Sequence, residues 1–406
     1  MGMRAVGSKI SSRPRALVLL TQTYVDGGIQ RFNRTFLLAC DRLGVACDVF
    51  SLADTDDDRT RWTAPSSAKI RVFNHDKVRF ALAVSAALLR GGYDFVVIGH
   101  VNLLALAAVG VSVRPRAGTR VLLIAHGIEV WTGMATRRCK LAIRAVDLIL
   151  SVSRYTRDTI LQQIPQLPED RFTLFPNALS ESWVERFRSP AADVPASVPV
   201  PFLLSVTRLA RGDRDKRLDT VIEALAMLAD TSVHYVIAGR GDDADFLRAI
   251  AARRGLTDRV HFLGAVSDAK LVSLYRNCSA FVLPSGKEGF GIVFLEAMFF
   301  GAPVIAADAK GAVDAVCNEK TGLLVPYGDT SALKTAIERV LADSALCDRL
   351  RAAGRASVVA EGPFTFNAYV TRLAKVFDVG PPAIARSRSA CATNPGAIAR
   401  DGTSGV

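Results

Sequence analysis

The sequence predicts an α/β protein built from two parallel-sheet domains. Three observations carry this prediction. Short, near-continuous apolar segments recur along the 406-residue chain. Helical periodicity fills most of the gaps between them. A run of prolines and small residues interrupts the series midway. Apolar strands alternating with helices make parallel sheets covered on both faces. The expected strands of the first half are Ala16–Leu20, Ala46–Leu52, Phe95–Gly99, Val121–Ala125 and Leu148–Val152. Those of the second are Phe202–Val206, Val233–Ala238, Val260–Leu263, Ala280–Leu283 and Val304–Ala306. Helical patterns at Arg217–Leu228 and Phe246–Arg254 separate strands of the second set. A further helix is expected over Phe364–Phe377, after the second sheet is complete.

The domain plan follows from these elements. Residues 1–14 read as a flexible N-terminus, 15–188 as the first domain and 202–362 as the second. Residues 189–201 carry Pro190, Pro195, Pro199 and Pro201 and read as a linker. Residues 363–379 hold the last helix. From 380 to 406 Gly, Pro, Ser, Ala and Thr dominate, and a disordered tail is expected. Doubly wound sheets bind ligands at the carboxyl ends of their strands, so two facing sheets put a cleft between them.

Composition narrows the partners. Hydrophobic residues make up 50% and charged residues 22%, a globular balance. No apolar run is long enough to span a bilayer; Leu103 to Val113 reads as a buried helix. The apolar run at Ala16–Leu20 is too brief for a signal peptide, and a cytoplasmic location is expected. Seven cysteines without C-x-x-C spacing argue against a disulfide framework or a zinc site. The net charge of +12 sits mostly in the first half: residues 1–190 hold 26 Lys and Arg against 16 Asp and Glu. Such an excess suits an anionic membrane face or a lipid diphosphate. Low aromatic content and the lack of a recognised motif argue against nucleic acid.

The most informative stretch is Glu288-Gly-Phe-Gly-Ile-Val-Phe-Leu-Glu296. An apolar run from Ile292 to Phe300 ends at Gly301 and Pro303, as a helix would. Glu288 then lies in a loop ahead of the helix, and Glu296 about a turn inside it. A helix N-terminus suits phosphate, and carboxylates accept hydrogen bonds from hydroxyls. Phosphate flanked by hydroxyls describes a nucleotide-sugar.

This stretch, with Val282-Leu-Pro-Ser285 before it and Gly301-Ala-Pro-Val-Ile305 after it, resembles the E-x7-E region of retaining glycosyltransferases of family 4. The resemblance runs from about Ala16 to Phe377 and is most specific in the second half. It implies the GT-B fold, with two Rossmann-like domains whose parallel sheets face an interdomain cleft, and a last helix that crosses back to the first domain. Glu288 would contact the donor sugar, Glu296 the ribose hydroxyls, and the amides of Gly289, Phe290, Gly291 and Ile292 the diphosphate.

Other residues take roles on the same footing. Arg208 follows the first strand of the second domain, and Lys216 stands eight positions on. Two cations at a strand end would neutralise a departing diphosphate. Arg217 replaces a glycine common in relatives, so Lys216 or Arg217 could be the ligand. The turn at Gly239 and Gly241 would let the nucleotide approach the backbone. The main chain at Val266 would meet the base. In the first half, Gly27 and Gly28 would pass close to the diphosphate, with Arg31 toward the acceptor. His126 ends a strand, and the resemblance has it reach the donor sugar; Glu129 is a candidate acceptor contact. Arg137, Lys140 and Arg144, with Arg138, form a basic helix face suited to anionic headgroups or a lipid-linked acceptor.

The resemblance implies a retaining hexosyltransferase that needs no metal and no cofactor. Its partners would be a nucleotide-sugar donor, a glycan or lipid-linked acceptor, and an anionic membrane. The Asp54-Thr-Asp-Asp-Asp58 run reads as surface charge rather than a metal site. His126-Gly-Ile-Glu-Val-Trp131 looks most like enzymes that build exopolysaccharide or lipopolysaccharide, with GDP-mannose the first expectation and UDP-glucose the second. The alternatives are an epimerase or disaccharide phosphorylase of the same fold, or an inactive membrane-associated partner protein.

Overall fold

The computed structural model describes residues 13–104, 118–131, 134, 137–187, 198–359 and 361–380. The expected tail, most of residues 1–14, most of the linker and most of the Leu103 to Val113 run lie outside them.

Two all-parallel sheets form. The first has seven strands in the order β3-β2-β1-β4-β5-β6-β7. These are β1 (Arg15–Leu20), β2 (Ala46–Ser51), β3 (Ala68–Val72), β4 (Phe95–Ile98), β5 (Arg120–Ala125), β6 (Leu148–Ser151) and β7 (Phe172–Leu174). The second has six in the order β10-β9-β8-β11-β12-β13. They are β8 (Phe202–Val206), β9 (His234–Ala238), β10 (Val260–Gly264), β11 (Ala280–Leu283), β12 (Val304–Ala307) and β13 (Leu323–Val325). Both are doubly wound, with the strand order reversing at β1/β4 and at β8/β11. Loops leaving the strands at such switch points open a crevice.

Three strands were not expected: β3, β7 and β13. All three are sheet edges. An edge strand need not be apolar on both faces. Ala-Lys-Ile-Arg-Val in β3 alternates, and β7 and β13 are only three residues long.

The first sheet is sandwiched. Helix α1 (Gly28–Arg42) covers one face through Phe32, Phe36, Leu37 and Cys40. Helix α2 (Lys77–Arg90) covers the other through Phe80, Val84, Ala87 and Leu88. Asp76 caps α2 by accepting from the amides of Val78 and Arg79. The last helix, Phe366–Phe377, lies against α1 although it follows the second sheet. Its Phe377 ring sits 4.3 Å from Phe95 and 6.2 Å from Phe36, and Tyr369 packs on Phe175 at 4.6 Å. Burying these rings, at roughly 1.5–3 kcal/mol each, ties the chain's end to the first domain.

Two expectations change. The basic face at residues 137–144 is not one α-helix: it runs Arg137–Ala142 and then tightens into a 3-10 turn before β6. Lys140 and Arg144 are exposed. Asp54 is not surface charge but fully buried. It accepts from the Thr23 amide at 2.6 Å and the Ser51 hydroxyl at 2.7 Å. It thereby fixes the loop after β1. Cys40, Cys47, Cys278 and Cys347 are buried free thiols, and Cys317 is exposed.

Candidate active site

Loops from both switch points converge on a cavity of about 620 Å³. From the first domain it is lined by Gln22, Asp26, Gly27, Gly28 and Arg31, among others. From the second come Thr207, Arg208, Lys216, Glu288, Gly291, Ile292 and Glu296. Residues as far apart in sequence as Gln22 and Glu296 thus line one cavity.

The second-domain wall is built around β8 and β11. After β8 the chain makes a 3-10 turn at Arg211–Lys216 and passes through Arg217 in the left-handed region (φ 58°) before the helix Leu218–Ala226. Arg214 pins this turn: it makes three hydrogen bonds of 2.7–3.1 Å to Asp243, and its guanidinium lies 3.8 Å over the Phe246 ring. The pinned turn delivers Lys216, whose ammonium pairs with the Glu288 carboxylate. Arg208 stays largely exposed, with Nη2 3.2 Å from Asp213. Arg217 pairs with Asp219 at 3.7 Å and stacks near Tyr327, so the cavity receives Lys216 and not Arg217.

Gly239 and Gly241 do not line the cavity. A Cβ at Gly239 would strike the Thr207 carbonyl, and one at Gly241 the Leu209 carbonyl. These glycines let the turn after β9 press on the loop that carries Arg208. Their close approach is to the protein backbone at Thr207 and Leu209.

After β11, Glu288 is 8% exposed and its carbonyl accepts from the Gly311 amide at 3.1 Å. Phe290 is a core residue packed on Phe364 at 5.4 Å. Gly291 takes φ 92° as the N-cap of the helix Ile292–Phe299. The Phe294 amide donates back to the Gly291 carbonyl at 3.0 Å, and Gly291, Ile292 and Val293 at the start of the helix line the cavity. Glu296, on the same helix, is 2% exposed. The Tyr275 hydroxyl donates to its Oε2 at 3.2 Å, and burial raises the Tyr275 pKa, keeping that donor protonated. Arg31 of α1 pairs with Oε1 of Glu296 across the domain boundary. Both key carboxylates therefore already hold a cation.

The first-domain wall depends on residues that sequence reading passed over. Arg34 donates to the carbonyls of Thr23, Tyr24 and Val25 at 2.5–2.7 Å, and Asn33 to that of Gln22 at 2.8 Å. With Asp54 they hold the loop before Gly27 and Gly28 from below.

His126 ends β5 but does not stand free in the cleft. Its ring packs edge-on to Phe32 at 4.8 Å, and Nε2 donates to the Gly99 carbonyl at 2.9 Å. Burial pushes its pKa down to about 4, so the imidazole is neutral near pH 7. Its main chain meets the second half of the chain: the 126–127 backbone abuts Gly289, leaving no room for a Cβ at Gly127 or Gly289. Glu129 is also engaged, accepting from the amides of His126 and Gly127 at 2.6 and 3.1 Å. His100 stands two residues past β4 with its ring 6.5 Å from that of His126, and burial lowers its pKa as well.

Val266 lines an adjoining cavity of about 310 Å³, with Asp26, Arg31, Ile292 and Asp268. The described parts of Arg137 to Arg144 do not line either cavity; the side chains of Arg137 and Arg138 lie outside the described residues. Among the described residues no group of three or more His, Cys, Asp or Glu could hold a metal ion.

Fold and site together define a GT-B glycosyltransferase. The family described as glycosyl transferases group 1 matches residues 195–357, and that described as glycosyltransferase family 4 matches 26–183. The chain belongs to family 4 of the glycosyltransferases. It is 33% identical over 198 residues to a phosphatidyl-myo-inositol mannosyltransferase of Mycobacterium leprae, covering 44% of this chain and 52% of that protein. It is 26% identical over 358 residues to a GDP-mannose-dependent alpha-(1-6)-phosphatidylinositol monomannoside mannosyltransferase of Mycolicibacterium smegmatis, covering 81% and 89%. Among solved structures it is similar to Anabaena HepE in complex with UDP (TM-score 0.72, 19% identity, covering 90% and 99%). It is also similar to a sucrose-phosphate synthase from Thermosynechococcus elongatus (TM-score 0.70, 23% identity, covering 90% and 98%).

Proposed function

We propose that this chain moves a hexose, with retention of configuration, from a nucleoside-diphosphate sugar to a glycan or lipid-linked acceptor in cell-surface polysaccharide synthesis. The observation that carries the proposal is the 620 Å³ cavity in which Lys216, Arg208, Glu288 and Glu296 meet the N-terminus of one helix. The diphosphate sits at the first-turn amides of Ile292–Phe299, between Lys216 and Arg208. The ribose hydroxyls donate to Glu296, and the sugar hydroxyls to Glu288.

Chemistry follows from this placement. The bond between the sugar C1 and the phosphate oxygen breaks as the acceptor oxygen bonds to C1. The departing phosphate oxygen takes the acceptor proton on the same face, so the configuration is kept. Negative charge grows on the leaving diphosphate, and Lys216 and the helix amides are fixed in advance to stabilise it, with the more exposed Arg208 beside them. Lys216 is paired with Glu288, and donor binding exchanges part of that pairing for phosphate. His126 positions the sugar end through its backbone contact with Gly289.

GDP-mannose is the favoured donor, with UDP-glucose second. The relatives named for GDP-mannose dependence support the first, and a HepE structure in complex with UDP-glucose the second. Asp268 supports the first. It opens the helix Asp268–Asn277 two residues past Val266, pairs with Arg186, and lines the adjoining cavity with Arg31 and Ile292. An ionised carboxylate accepts two adjacent N–H donors, which guanine offers on one edge and uracil does not.

The test is release of nucleoside diphosphate from GDP-mannose with and without a lipid-linked glycan acceptor. Acceptor-dependent release, abolished in Glu288→Gln, is the expected result. Isomerised sugar without acceptor would identify an epimerase. A strict need for inorganic phosphate would identify a phosphorylase. No turnover, from a folded protein that still binds nucleotide, would leave a non-catalytic partner.

A further inference from the structure

Helix α2 is apolar on the side turned away from the core. Its buried residues are Phe80, Val84, Ala87 and Leu88. Val78, Leu82 and Leu89, at i, i+4 and i+11, fall together on the opposite side and are 69%, 66% and 70% exposed. Single exposed aliphatics are ordinary, but three in register on a helix's outer ridge are not. Lys77, Arg79 and Arg90 flank the ridge and are exposed. The helix itself carries no carboxylate.

The neighbouring surface repeats the pattern. The segment 137–145 packs into the same core cluster as α2 and so covers the same face of the sheet. It adds Leu141, 67% exposed, between the exposed Lys140 and Arg144. The first half of the chain, which holds this face, also holds most of the net positive charge.

We infer that this face is a membrane-docking surface, with the α2 ridge entering the interfacial region of an anionic bilayer and its cations meeting lipid phosphates. An aliphatic ridge bordered by cations matches both layers of such a surface. A second copy of the chain fits it less well, because it would set one cationic flank against another. The placement also serves transfer. As a crossover between parallel strands, α2 runs antiparallel to them, so its N-terminal turn lies at the sheet edge where the cleft opens. A lipid-borne acceptor would then reach the cleft along the docked face. The docking itself does not depend on which donor is used or on whether transfer occurs.

The experiment is co-sedimentation of the full chain with vesicles of phosphatidylcholine alone or mixed with phosphatidylglycerol. Wild type is expected to partition onto the mixed vesicles and little onto the neutral ones. The double variant Leu82→Gln/Leu89→Gln, whose side chains touch no core, is expected to lose roughly tenfold or more of that partitioning. Arg79→Glu/Arg90→Glu is expected to lose the preference for phosphatidylglycerol. Melting temperature and nucleotide affinity, measured on the same samples, should stay at wild-type values, which separates this result from a failure of the donor site. Wild type that ignores both vesicles, or variants that bind as wild type does, would overturn the inference. So would sedimentation velocity showing a dimer that the leucine variant dissociates, with no vesicle binding by wild type.

Discussion

The two domains share a doubly wound sheet yet present opposite kinds of surface to the cleft. The second domain offers charges fixed at strand ends and a helix N-terminus: Lys216 held by Glu288, Arg208 beside Asp213, Glu296 under Tyr275. The first offers mostly backbone: the loop at Gly27 and Gly28, and the turn at His126 and Gly127 pressed on Gly289. The difference teaches how the work is divided. In the proposed reaction a leaving diphosphate needs charge in fixed places, and the second domain is where such charge is found. The first domain shapes the cleft, and its own distinctive chemistry lies on the outer face of α2.

The sharpest test of that division lies in the charged wall. Lys216→Ala should lower kcat by about a hundred- to a thousandfold, as loss of a charge aimed at the leaving group does, while Arg217→Ala should cost far less. Steady-state kinetics on the two variants decides this, and equal losses would break the asymmetry.

The backbone wall has its own signature, in pH. His126 is buried and neutral, with a folded pKa of about 4 against an ordinary 6.5. The unfolded chain therefore binds a proton more readily. The stability this site contributes is fully present above about pH 6.5 and is lost as pH falls toward about 4, up to about 3 kcal/mol in all. Denaturant unfolding from pH 7.5 to 4.5, compared with His126→Gln, should show a flatter dependence in the variant. Parallel curves would mean the ring titrates normally.

The Arg31–Glu296 ion pair, which links the two walls inside the cavity, gives a smaller effect. Arg31→Ala leaves Glu296 buried with Tyr275 as its polar partner. Stability without ligand should fall by about 1–3 kcal/mol, discounted for the partly exposed guanidinium. Saturating donor should restore much of it, because ribose hydroxyls replace the lost partner. Thermal shift with and without GDP-mannose measures both, and a variant as stable as wild type would show that the pair is incidental. The smallest effect is on base choice: Asp268→Ala should reduce preference for GDP over UDP donors by about tenfold, read from the ratio of kcat/KM values.

Much of this was legible in the sequence because parallel sheets and phosphate sites leave local marks. Central strands such as Leu17–Leu20 and Phe281–Leu283 are buried on both sides and read as unbroken apolar runs. Glu288 to Glu296 is a single contiguous turn and helix. What stayed hidden depends on neighbours distant in sequence. The edge strands β3, β7 and β13 lack a two-sided burial pattern. Asp54 looked like one of four surface acids until its partners Thr23 and Ser51 came into place. The packing of Gly239 and Gly241 on the Thr207 and Leu209 backbone is likewise invisible in the sequence. The ridge of α2 is masked for a related reason: Phe-Ala-Leu-Ala-Val-Ser-Ala-Ala-Leu-Leu is apolar on both sides, and only packing reveals which side is left over.

The most direct test of the central claim is calorimetric titration of GDP-mannose and UDP-glucose into wild type and Glu296→Ala. The account predicts that wild type binds at least one donor, GDP-mannose more tightly, and that the folded variant binds it at least roughly tenfold more weakly. Donor binding that is absent in wild type, or unchanged in the variant, would contradict the assignment of the shared cavity as the nucleotide-sugar site.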